Sequence, residues 1–142
     1  MKVKTAVVVY NALRGINASK LPTAAKADLI GIIRATRALK VVAESYSDFE
    51  RDAAERLRPA DFVALMEKRS NYNGLSAAEQ QEVTEKLMTY ERAFGECVGP
   101  ELDKEVSVDS FDALSESALA GIASASENMT METLLLIEEV CC

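Results

Sequence analysis

The chain contains no histidine. That removes the commonest general base, triad member and metal ligand, and so excludes histidine-dependent hydrolase, deaminase and zinc chemistries. Glycine is scarce: the six stand singly at positions 15, 31, 74, 95, 99 and 121, so no Gly-rich phosphate loop exists. Of three cysteines, Cys97 is isolated and Cys141 and Cys142 are adjacent, which is neither a disulfide framework nor a metal-ligand spacing. No apolar run approaches the roughly 20 residues of a membrane span. The stretch Thr5-Ala6-Val7-Val8-Val9-Tyr10 after Met1-Lys2-Val3-Lys4 is too short for a signal peptide and no small-residue cleavage site follows it. A cytoplasmic protein that does not touch membranes is therefore expected. Acidic side chains are plentiful, but no pair stands on the apolar background that raises a carboxyl pKa. No catalytic residue, metal ligand or cofactor is expected.

What is present is helical pattern. A chain of 142 residues with 49% apolar content has the size of one domain, 1–142, read as a helical region 1–98 followed by 99–142. Pro22 suits a first helical turn and Pro59 closes the pattern, so residues 22–58 are expected to form one helix of 37 residues, about 55 Å long. Along it Ala25, Leu29, Ile32, Thr36, Leu39, Ala43 and Tyr46 recur at alternating spacings of four and three, and Phe49, Ala53 and Leu57 continue the stripe. Its natural partner is 75–98, where Val83, Leu87, Tyr90, Phe94 and Cys97 repeat the spacing and Ser76 with Glu79 forms a capping box. A long antiparallel helical hairpin results.

The first half of the long helix carries a second apolar face, since Ile30, Ile33 and Val41 lie about 100° or more from the seam. Two covers are open. One is a short N-terminal helix over 5–17, whose Val8, Val9, Ala12, Leu13 and Ile16 line one side; the other is a second protomer. Between the long helices, 59–69 reads as a short helix with Phe62, Leu65 and Met66 inward, and 70–74 as a turn. Beyond the Gly99-Pro100 breaker, 104–111 alternates as a half-buried strand. Pairing it with Lys2-Val3-Lys4 sets lysines against Glu105 and Asp109 in a minimal two-stranded sheet. Short helices follow over 115–123 and 131–141, the second capped by Thr130, and Cys141-Cys142 reads as a frayed end. The fold class is mainly α.

Charge is uneven: residues 1–71 hold 13 Lys and Arg against 8 acids, whereas 72–142 hold 3 against 15. Such asymmetry asks for an electrostatic partner. Lys26, Arg34, Arg37 and Lys40 fall within about 120° of the long helix, beside Ile30, Ile33 and Val41. This stripe is a solvated face, or docks on the acidic C-terminal half of this or a neighbouring chain, or is a site for a small phosphorylated ligand, with Tyr10 or Tyr46 to stack on a base. Duplex DNA is not an expected partner, because the whole chain carries a net charge of −7.

The order "VYNALRGINASKLPTAAKADLIGIIRATRALKVVAESYSDFERDAAERL", "YERAFGECVGPELDKEVSVDSFD", "ALSESALAGI" and "METLLLIEEV" resembles a family of small uncharacterised proteins of tailed phages and prophages. The shared features are a basic N-terminal strand, an "NAL" helix, a "KLP" turn, a long helix and a late "EV-V" strand before a helical tail; residues 59–80 depart from that pattern. The resemblance implies no activity and carries over no catalytic residue. It implies a place in the host cytoplasm. Two functions are open: a self-associating interaction or assembly protein, forming a homo-oligomer or binding a protein partner, or a non-catalytic sponge for a nucleotide second messenger of the cyclic oligonucleotide or cyclic ADP-ribose type.

Overall fold

A computed structural model describes residues 1–142, apart from the side chain of Ala24. The protein is mainly helical: α1 (Val3–Arg14), α2 (Thr23–Lys26), α3 (Leu29–Leu57), α4 (Phe62–Ser70), α5 (Ala77–Asp103), α6 (Glu116–Ala125) and α7 (Met131–Cys141), with 3-10 turns at Ala18–Lys20 and Tyr72–Gly74. The chain clusters into two compact units, one of Met1–Tyr46 and Leu102–Cys142, the other of Ser47–Glu101.

In the first unit the expected 37-residue helix is broken. Asp28 N–H bonds the carbonyl of Ala25 rather than that of Ala24, and α3 restarts with Ile32 N–H on the Asp28 carbonyl. The cause is tertiary. Ala25 is buried against α6 so closely that a Cβ on Gly121 would collide with the Ala25 Cβ, and the Asp28 carboxylate accepts a 2.7 Å hydrogen bond from the Ser115 hydroxyl. Ser115 also caps α6, its oxygen accepting from Ala118 N–H.

The seam itself is core: Ala25, Ile32, Leu39 and Ala43 are buried in one cluster with Val9, Tyr10 and Leu13 of α1, Ala118 and Ile122 of α6, and Ile137 and Cys141 of α7. Leu29 and Thr36 are half-buried. The buried side of α1 is Val3, Ala6, Val9, Tyr10 and Leu13, rotated from the expected one, which leaves Val8 exposed. The second face of α3 is not covered by α1: Ile30 is 64% exposed and Val41 70%, and Ile33 is exposed as well. Helix α1 reaches the seam instead, because the seam joins a continuous apolar surface with α6 and α7 and burial gain scales with apolar area removed from water.

The expected two-stranded sheet is absent among the described residues; a single antiparallel bridge, Lys2 to Glu105, stands in its place. Helix α1 begins at Val3, so Val3 and Lys4 of the expected strand are helical instead; Val3 N–H, unpaired within its own helix, donates to the Lys104 carbonyl at 2.9 Å, and Val106 N–H to the Met1 carbonyl at 2.8 Å. Lys2 and Lys4 each lie 3.3 Å from Asp103, whose carboxyl they hold below its ordinary range, Lys2 first. Pro100, read as a breaker, lies inside α5. It sits in the last turn, where a missing N–H forfeits one bond of the ladder. The final residues are not frayed: Cys141 is buried, and its carbonyl accepts from Leu114 N–H at 2.7 Å.

The second unit is built locally. Ser76 caps α5 through Glu79 N–H at 3.2 Å. Arg56 lies against Cys97, Phe62 against Tyr90, and Leu65 clusters with Val83 and Leu87, so partners descend along α5 as the chain ascends, which is antiparallel order. Leu65 is buried and Phe62 half-buried, whereas Met66, expected inward, is exposed. Lys86 bridges Asp61 at 3.1 Å and Glu82 at 3.0 Å, all three exposed.

Candidate functional site

In the first unit, the end of α1, the loop after it and the start of α3 enclose a groove of about 590 Å³. Its shape follows from local chemistry. Asn17 accepts from both the N–H and hydroxyl of Ser19, which fixes the turn at Ala18–Lys20 and drives Leu21 into the core. The walls are apolar, from Leu13, Ile16, Leu21, Leu29, Ile32 and Ile33, and Arg37 and Lys40 stand in the same lining. Thr36 contributes a hydroxyl whose proton is donated back to the Ile32 carbonyl at 2.7 Å, so toward the groove it acts as an acceptor. Tyr10, also in the lining, is buried, and the Arg14 guanidinium lies 5.7 Å from its ring centroid.

Three of the six residues singled out from the sequence therefore meet at one groove: Tyr10, Arg37 and Lys40. The others do not join them there. Arg34 turns toward Asp112, 3.8 Å away, and with Arg37 lines a smaller cleft of about 280 Å³ that also holds Asp109 and Ser110. Lys26 ends α2, and the break after it takes it off the helical period that placed it in line with Arg34, Arg37 and Lys40. Tyr46 is buried on the inner side of α3, where its ring has no open face for a base. Lys40 pairs with Glu44 at 3.5 Å, one turn along the same helix. Arg37 makes no ion pair among the described residues.

The outer face of α3 is then explicit. Ile30, Arg34, Arg37 and Val41 follow one another at spacings of four, three and four, and all are exposed. Two aliphatic side chains bracket two cations on a single stripe. The apolar groove residues Leu13, Ile16, Leu21 and Leu29 were not singled out from the sequence as site residues, since each also fits a core pattern. They line one open groove because the turn at Ala18–Lys20 sets Ala18 and Leu21 across from Leu29, Ile32 and Ile33.

Elsewhere, burial first and the neighbouring Cys142 second push the Cys141 thiol from its ordinary 9.0 to about 12, so this cysteine is a core residue and a poor nucleophile. No cluster of three or more His, Cys, Asp or Glu side chains suited to a metal ion occurs among the described residues. Among the described residues no helix is long and apolar enough to cross a membrane. The chain matches no protein-family model, no curated protein and no solved structure.

Proposed function

We propose that this protein acts without catalysis, as an interaction or assembly protein that self-associates through the outer face of α3. The observation that carries this reading is the open stripe of Ile30, Ile33 and Val41 around Arg34 and Arg37. Fully burying an aliphatic side chain contributes about 1.5–3 kcal/mol, and most of that is unrealised for Ile30 and Val41 and part of it for Ile33 within the chain. Of the two covers open to this face, the N-terminal helix is used elsewhere, which leaves a second protomer. The phage or prophage setting, and with it an assembly, tail-associated or host-takeover role in the host cytoplasm, comes from the sequence resemblance.

Light scattering over a concentration series tests the reading. The apparent mass should rise above that of one chain, and Ile30→Asp with Val41→Asp should return it to a single chain. A protein that stays a single chain at every concentration, or a double variant that associates like the parent, defeats it. A salt series adds the balance of forces: charge-driven association weakens as the Debye length shrinks, and apolar association does not.

One observation favours a second reading, a non-catalytic sponge for a nucleotide second messenger: Tyr10, Arg37 and Lys40 share one groove. Against it, the walls are largely aliphatic, Arg14 already lies against Tyr10, and Lys40 is paired with Glu44. Thermal melting with cyclic dinucleotides, cyclic trinucleotides and cyclic ADP-ribose isomers decides. A rise of several degrees, lost in Arg37→Ala with Lys40→Ala, supports it, and no rise with any of them removes it.

A further inference from the structure

The first unit carries a second open helical stripe, on α7. Of its residues Met131, Glu132, Leu135, Glu138 and Glu139 are exposed, as is Cys142 just after it, while Ile137 and Cys141 on the opposite side are core. Met131, Leu135, Glu138 and Cys142 succeed one another at spacings of four, three and four, the same pattern as Ile30, Arg34, Arg37 and Val41. Both stripes span three turns, about 16 Å. Met131 is 70% exposed and Leu135 57%, so this face too holds large apolar groups in water. The charges are opposite. The α3 stripe presents Arg34 and Arg37, and the α7 stripe presents Glu132, Glu138 and Glu139, none of which makes an ion pair among the described residues.

Resting on the reading of α3 as a self-association face, we infer that its occupant is α7 of a second copy: the acidic-apolar stripe of one chain docks on the basic-apolar stripe of the next. In antiparallel alignment Val41 meets Met131, Arg34 meets Glu138, and Arg37 lies beside Leu135 with Glu132 one turn away. Two copies of the α3 stripe in the same antiparallel order would instead set Arg34 against Arg37, and like charges brought together at a contact oppose association; two copies of the α7 stripe would set Glu138 against Leu135 and give neither charge a partner. Asp109 and Asp112 of the same chain line a cleft with Arg34 and Arg37, but the exposed Arg34–Asp112 pair at 3.8 Å is weak enough for Arg34 to exchange it for a partner brought in by apolar contact. Because the two faces differ, every chain offers one of each. They close a two-fold dimer where both contacts form at once, and otherwise a ring or an open chain.

A charge-swap mixture tests this. One full-length variant carries Arg34→Glu and Arg37→Glu, the other Glu138→Arg and Glu139→Arg; all four positions are exposed, and circular dichroism checks that helix content is kept. In sedimentation across a concentration series each variant alone should remain a single chain, facing like charge at its only contact. The equimolar mixture should regain an associated species, since the glutamates introduced on α3 of one variant then meet the arginines introduced on α7 of the other, and the unchanged faces meet each other. Variants that associate alone as well as the parent does, or a mixture that stays unassociated, overturn the inference. If the parent associates, Ile30→Asp with Val41→Asp abolishes it and the charge variants are neutral, the α3 face stands and the α7 occupant falls. If the parent never associates, both fall together.

Discussion

The two compact units are held by different means. The five largest fully buried side chains, Leu39, Ile122, Ile137, Val9 and Cys141, all belong to the unit made from Met1–Tyr46 and Leu102–Cys142, whose halves are joined only through tertiary contact. The unit of Ser47–Glu101 is one continuous piece, and its Leu65, Val83 and Leu87 cluster is edged by the half-buried Phe62 and Leu75. Around that cluster lie ring contacts of Phe62 with Tyr90 and Tyr90 with Phe94, and the exposed Lys86 pairs. Stability in the first unit rests on long-range burial, and in the second on local antiparallel packing with a thin core. Units of the second kind form with less loop-closure entropy and open at lower free energy.

The largest expected effect comes from emptying the first core. Ile122→Ala should cost about 2–5 kcal/mol, and Leu65→Ala in the second unit should fall at or below the bottom of that range, where the thin cluster relaxes around the gap. Denaturant midpoints measure both; equal losses would erase the distinction between the units. Hydrogen exchange sharpens it, since amides over 83–94 should exchange through smaller openings than those over 32–43.

Next in size is Gly121→Ala, which forces a methyl into Ala25 and should cost about 1–3 kcal/mol by overpacking, with recovery on adding Ala25→Gly. A double variant no better than the single one would show that α2 and α6 do not approach as described. Ser115→Ala removes both the α6 cap and the bond to Asp28 and should cost about 1 kcal/mol.

Alkali acts on the first unit through Cys141. Its thiol titrates higher in the fold than in the unfolded chain, so its contribution is intact below pH 9.0 and is lost as pH rises from there toward about 12. Melting temperature should fall over that window in the parent and fall less in Cys141→Ala, compared with its own value at pH 7. Smallest of all is Lys86→Ala: fully exposed pairs contribute little, and no change in melting temperature is expected. A clear drop there would mean that ion pairs, not the apolar cluster, hold the second unit.

Much of this fold was legible beforehand because the signals are local. Ser76 and Thr130 act as caps where the sequence placed them, and Ala25, Ile32, Leu39, Ala43 and Tyr46 are buried as their spacing required. A cap or an apolar stripe depends on residues within one or two turns, so the chain announces it. Of the candidate site, the sequence supplied Tyr10, Arg37 and Lys40 but not the aliphatic groove between them. It also read Lys26 and Tyr46 into the same place, because helical period assumes an unbroken helix and says nothing of which side meets the core. The α7 stripe was open to the same reading: Met131, Leu135 and Glu138 carry the four-three spacing, but Ile137 and Cys141 carry it equally on the other side.

By itself, then, the sequence determined a mainly helical chain, its caps, its inner seam and its missing histidine chemistry. Tertiary structure decided where the long helix breaks, that the second apolar face of α3 stays uncovered by α1, that two expected strands shrink to one bridge, and that Cys141 is core. The reason is burial of apolar area. The inner face of α3 joins α1, α6 and α7 in one apolar cluster, α2 is drawn onto α6 where the missing Cβ of Gly121 admits Ala25, and Ile30 and Val41 stay exposed on the other side.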